Sequence, residues 1–159
     1  MAVHLPQPKQ LKDLLTDLLG RDVSLSPTTP YAPGPSDPVT LATYVDDSLN
    51  IVALIACDLG FSARAGAAIG LVPPGGAEEA IGDGKLTDTL ADNLYEVLNI
   101  GASVFNVPGA DHVRLHDVQP AGPTPDPQLR IRTLTLGRRE DLAVEIAGYG
   151  PGRLSVVLQ

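Results

Sequence analysis

The sequence has no tryptophan, two phenylalanines, four tyrosines and a single cysteine in 159 residues. Lacking aromatic bulk, its core must be assembled from Leu, Ile, Val and Ala. Apolar residues still make up 43% of the chain, which suits a globular domain and argues against disorder. One cysteine excludes an internal disulfide and any multi-cysteine metal site. Cys57 lies in the apolar run Ile51–Cys57 and reads as a small buried hydrophobe. Positive charge is scarce: 11 Lys and Arg face 19 Asp and Glu, for a net charge of −8. That balance repels phosphate backbones and anionic lipid, so nucleic acid and membrane are poor partners. No apolar run approaches the ~20 residues that span a bilayer. The opening Met1–Pro6 has neither the basic region nor the apolar core of a secretory signal. The expectation is a cytoplasmic protein.

What is present points to one α+β domain over residues 1–159. Leu11, Leu14, Leu15, Leu18 and Leu19 recur at helical spacing, predicting a helix over 8–20 with Gly20 as its cap. A breaker-rich stretch follows over 24–38 and reads as an irregular internal loop. Segments 39–45 and 50–57 read as strands joined by the turn Asp46-Asp47-Ser48. The small-residue run 60–71, with Gly66-x-x-x-Gly70, predicts a closely packed helix. Pro73-Pro74-Gly75-Gly76 ends it, and 77–84 is a short helix or loop. Strands are expected at 112–118, 128–136, 140–147 and 153–158. Gly137–Asp141, with Arg138-Arg139 at an exposed tip, and Gly148–Gly152 read as hairpin turns. The order predicts an antiparallel or mixed sheet of five or six strands, with long helices packed on one face.

Residues 86–106 form the strongest helical pattern, with Thr87 or Asp88 as cap and Pro108-Gly109 as stop. At about 100° per residue, Leu90, Leu94, Val97, Gly101 and Phe105 cluster on one side, flanked by Leu98 and Val104. Asp92, Glu96, Asn99 and Ser103 form a stripe opposite. Any amphipathic helix has a solvated stripe, but three details set this one apart. No Lys or Arg lies between Lys85 and Arg114, whereas a generic wet face mixes both signs. Asn93 and Asn99 are poor helix formers in mid-helix. Gly101 on the buried side implies close packing.

The segment Asp92-x-x-x-Glu96-x-x-Asn99 resembles the Asp/Ser-x-x-x-Glu-x-x-Asn signature of the CheC/CheX/FliY phosphatases of bacterial chemotaxis. The order of elements is similar to the CheX branch. That resemblance implies a CheC/CheX-like fold acting on the aspartyl phosphate of a response-regulator receiver domain, typically CheY. It implies that Asn99 orients a water and Glu96 pairs with the receiver's active-site lysine. Asp92 and Ser103 would lie on the contact surface. Magnesium would belong to the phosphorylated receiver, leaving this chain without a cofactor of its own. The family signature also carries a proline a little over twenty residues beyond its Asn; here Gly122 stands between Pro120 and Pro123. CheC-type members carry two motif copies. The first helix here offers only Asp13-x-x-x-Asp17-x-x-Gly20, the same spacing with other residues, so one site is expected. The resemblance also allows a homodimer through sheet edges, with apolar Leu154–Leu158 wanting a neighbour or cover.

Other constellations carry less. His112 and His116 on a strand would share a face at roughly 13 Å, too far to share a metal. The glycine-rich stretches lack the Lys-Ser/Thr of a phosphate loop, and no nucleophile–base pair is evident. Two readings compete with a phosphatase: a non-catalytic binding or adaptor domain of the same fold, and an unrelated α+β domain with a merely solvated stripe.

Overall fold

β-Branched and apolar residues at 39–58 sit at the heart of the sheet. In the computed structural model, which describes residues 2–159, β2 (Val39–Val45) and β3 (Ile51–Asp58) form the expected antiparallel pair. Their turn is held by Asp46, whose carboxylate accepts from the Ser48 and Asn50 N–H groups at 2.9 and 3.0 Å. Around them lie β1 (Val23–Pro27), β4 (Arg114–Gln119), β5 (Arg139–Ile146) and β6 (Gly150–Leu158). The six strands make one antiparallel sheet in the order β1-β5-β6-β3-β2-β4.

Period-two alternation sorts the sheet into two faces. Ala42, Tyr44, Ala53, Ile55, Cys57, Leu142, Val144, Ile146, Leu154 and Val156 join the main core. Four helices cover that face: α1 (Pro8–Leu19), α2 (Leu59–Ile69), α3 (Pro74–Asp83) and α4 (Asp88–Gly101). α1 buries Leu11, Leu15 and Leu19 and ends on Gly20 at φ 64°, the left-handed cap read from the sequence. On the opposite face Val39, Leu41 and Ala56 form a smaller cluster covered by Tyr31 and Leu129. Leu129 belongs to α5 (Pro127–Arg132).

Four expectations need correction. The 128–136 strand is α5 followed by a turn. Asp126 caps it by accepting from the Gln128 N–H at 2.8 Å, and Pro127 occupies its first turn. The alternation Leu129, Ile131, Thr133 imitates a strand, yet Ile131 is exposed while Thr133 is buried. The start of the 24–38 loop is instead edge strand β1, paired from Val23 to Pro27 with β5; proline is tolerated there because an edge strand has one free side. Pro73-Pro74-Gly75-Gly76 opens α3 instead of only ending α2. Finally, Leu154–Leu158 lies in β6, hydrogen-bonded on one side to β5 and on the other to β3. Those neighbours satisfy the apolar strand, so it supplies no reason for a homodimer.

Small residues on α2 let it approach α4 closely. A Cβ on Gly66 would fall 2.7 Å from the Leu90 carbonyl oxygen, and the Asn93 side chain occupies the space beside Gly70. Asn93 Nδ2 donates to the Gly66 carbonyl at 3.0 Å, clamping the helices. Gly66→Ala is therefore expected to destabilise the fold by about 1–3 kcal/mol through overpacking, although alanine is the better helix former. A lower midpoint at unchanged slope in urea unfolding would show this. A raised midpoint would mean that the interhelical spacing yields freely.

Candidate functional site

α4 is held on three sides. Its start is capped by Thr87, whose hydroxyl accepts from the Leu90 N–H at 3.2 Å. Leu90, Leu94, Val97, Leu98 and Gly101 are buried, as are Val104 and Phe105 beyond the helix end, in agreement with the helical wheel. The segment 86–106 is not one uniform helix, however. After Gly101 it tightens into a 3-10 turn at Ala102–Val104. The Ala102 N–H then turns to the Asn99 and Ile100 carbonyls. Buried Tyr44 donates its hydroxyl to the Leu98 carbonyl at 2.7 Å and packs at 5.1 Å against Phe105. This fixes the end of α4 directly behind Asn99. The close packing expected at Gly101 is absent: a Cβ there would meet only Leu14 at 3.8 Å, an ordinary contact.

Asp92, Glu96, Asn99 and Ser103 are all exposed. They fall within an arc of about 60° on the face away from the core. Among the described residues, none of these four side chains hydrogen-bonds elsewhere in the chain. The stripe is thus a rigidly mounted but unencumbered set of one amide, one hydroxyl and two carboxylates. Glu96 and Asn99, three residues apart, point the same way and can enter one shallow pocket together. The arc is bordered by Tyr95, 46% exposed, and Ile100, 40% exposed. The wheel assigns the buried face and the polar stripe but neither of these two large side chains on the margins of the stripe.

Of the details that distinguished the stripe, Asn93 has a structural role as the α2 clamp, whereas Asn99 has no internal partner that would account for it. The loop Pro120–Pro123 sits beside the root of α4. The Ala121 carbonyl accepts from the Leu86 N–H at 3.2 Å, and the Ala121 N–H donates to Thr40 Oγ1 at 3.1 Å.

The remaining candidates resolve into structure. His112 lies before β4 with Nδ1 2.8 Å from Asp47 Oδ1, tying a loop to the β2–β3 turn, and His116 is exposed on β4. Among the described residues no cluster of three His, Cys, Asp or Glu is gathered as a metal site. Cys57 is buried and free, and burial, with the neighbouring Asp58 charge, pushes its thiol pKa up. Arg138 is exposed, but Arg139 is not at an exposed tip. Its Nε and Nη2 donate to Asp141 at 2.9 Å each, Nη1 to the Thr133 and Thr135 carbonyls at 2.9 and 2.8 Å, and Nη2 to the Tyr31 carbonyl at 3.4 Å. All five guanidinium N–H groups are used. Asp141 in turn accepts from Ser155 Oγ at 2.6 Å and the Tyr31 N–H at 3.0 Å. Burial opposes its ionisation, yet Arg139, Ser155 and Tyr31 together hold its carboxyl below the ordinary carboxylate range.

No protein-family model matches the sequence, and no curated protein matches it. Solved structures do match the architecture. The FliM middle domain from H. pylori superposes with a TM-score of 0.61 at 8% identity, covering 94% of this chain and 83% of that one. FliY from Thermotoga maritima gives 0.55 at 13% identity, over 92% and 81%. CheX in a complex with CheY, BeF3 and Mg2+ from Borrelia burgdorferi gives 0.52 at 8% identity, over 92% and 91%. The fold is that of the CheC/CheX/FliY proteins, shared with the FliM middle domain. Among the described residues, no helix is long and apolar enough to cross a membrane.

Proposed function

We propose that the chain is a CheX-like phosphatase that accelerates hydrolysis of the aspartyl phosphate on a CheY-type receiver domain, in cytoplasmic chemotaxis or two-component signalling. The observation that carries this reading is the pair Glu96 and Asn99, open to solvent on the outer face of a helix whose inner face is locked. An acyl phosphate is already reactive, so acceleration requires a water held in line with phosphorus and balanced charge around the phosphoryl group. The Asn99 carboxamide can accept from and donate to one water. That water attacks phosphorus and the bond to the aspartyl oxygen breaks. The aspartate leaves as carboxylate, and the water's protons remain with phosphate or pass to solvent. Glu96 pairs with the receiver lysine, while Asp92 and Ser103 border the contact. The receiver brings its own magnesium, in keeping with a complex in which a CheX of this fold was crystallised with CheY, BeF3 and Mg2+.

A second reading is a non-catalytic adaptor, favoured by the likeness to the FliM middle domain at a TM-score of 0.61. Phosphate release from a panel of phosphorylated receivers separates the two. The phosphatase reading expects release faster than the receiver's own decay for at least one of them. Decay unaltered across the panel would leave the adaptor.

A further inference from the structure

The exposed arc of α4 is more than a polar stripe. With Glu96 at the origin and about 100° per residue, Asn99, Asp92, Ser103 and Glu96 span roughly 60°, while Tyr95 and Ile100 each stand about 40° beyond opposite edges. The two are the only large apolar side chains of α4 exposed among the described residues. A helix face made for water alone would hold Glu, Lys, Gln or Ala there. Here an aromatic and a branched aliphatic group sit directly beside the pair.

We propose that Tyr95 and Ile100 are the recognition anchors of this site. They would seat a receiver surface that presents a cation between two apolar patches. The proposal rests on the phosphatase reading and deepens it by naming what the substrate must carry. Charge argues for that occupant: Asp88, Asp92 and Glu96 line α4, and no Lys or Arg occurs from Leu86 to Val113. A second copy of this acidic chain, meeting α4 to α4, would oppose like charges. Apolar walls around a central ion pair exclude water from it, and Tyr is among the residue types enriched at such interface centres. Anchors of this kind act only on a protein-borne acyl phosphate. A small one such as acetyl phosphate reaches Asn99 but cannot engage the walls.

Two measurements on the full chain test this: steady-state phosphate release from a phosphorylated receiver, and calorimetric binding of the same receiver loaded with BeF3 and Mg2+. Tyr95→Ala and Ile100→Ala are each expected to raise KM and Kd about tenfold with kcat within twofold. Leu136→Ala, an exposed apolar residue on the α5–β5 turn, should change none of these. Acetyl phosphate should decay at its buffer rate. Binding and turnover unmoved by both anchor variants would overturn the anchors while leaving the phosphatase intact. Tight binding without turnover, weakened tenfold by the variants, would overturn the phosphatase and keep the anchors. Self-association abolished by Tyr95→Ala would assign the surface to a second copy and overturn the proposal. Absence of any receiver binding would overturn both readings.

Discussion

Asn99→Ala is expected to bring phosphate release down by at least about a hundredfold, close to the receiver's own decay, while receiver binding stays within about threefold of wild type. On the proposed mechanism, removing the group that orients the attacking water deletes an interaction realised mainly in the transition state, so kcat falls and affinity survives. The expected size follows the loss on deleting one oriented polar group from a preorganised site. Since the Asn99 side chain is exposed and hydrogen-bonds to nothing among the described residues, its truncation should leave unfolding unchanged. That separates a chemical loss from a folding loss. Glu96→Ala should differ in kind, raising KM and lowering kcat together, because a lost ion pair at a desolvated interface weakens binding too. Single-turnover release with wild type and both variants side by side is the measurement. Equal rates for wild type and Asn99→Ala, both above spontaneous decay, would place the chemistry elsewhere.

The largest loss of stability is expected from Arg139→Ala. The change strands Asp141 as a buried charge and deprives the Thr133, Thr135 and Tyr31 carbonyls of their donor. Breaking a buried pair by removing one partner costs about 3–5 kcal/mol. In a domain of this size that lowers Tm by about 10 °C or more. Arg139→Lys should rescue little, since one ammonium cannot reproduce a five-donor fork. Acid adds an independent check. The folded carboxyl of Asp141 titrates below its unfolded value of about 3.9. Its contribution is therefore complete above that value and fades as pH falls through it towards the folded pKa. The stability gap between wild type and Asp141→Asn should narrow as pH drops from 6 to 3 in urea titrations. A gap independent of pH, or an Arg139→Ala protein as stable as wild type, would show that the network is dispensable.

α4 was legible because one sign of evidence dominated it: apolar side chains repeated at 3.6-residue spacing, and every position so marked is buried. The β2–β3 pair and the β5–β6 hairpin were legible for the matching reason at period two. What escaped were places where local pattern and tertiary role diverge. α5 alternates like a strand because Leu129 and Thr133 face inward from a single short helical turn and its exit. β1 hid among prolines because an edge strand tolerates one at its end. Arg139 looked like surface charge, and only the second face of the sheet, with Tyr31 folded across it, makes a buried partner for it. Asn93 drew attention for the right reason, its poor helix propensity, but the Gly66 carbonyl that explains it is 27 residues away. The candidate site was readable as a stripe of residue types. Its apolar margins at Tyr95 and Ile100 were not, since two lone apolar side chains beside a polar stripe break no periodic pattern.

The position of β6 shapes how the protein can be made. The last strand in chain order occupies the middle of the sheet, between β5 and β3. Without it, β2, β3 and β4 on one side and β1 with β5 on the other share no ladder hydrogen bonds. The inward faces of Leu142, Val144 and Ile55 lie at the open seam. Completion of the sheet therefore waits on the 150–158 segment, which must insert between β5 and β3. A nascent chain halted before Gly150 would expose two ready sheet edges and half a core, the species that a chaperone binds and that aggregates first.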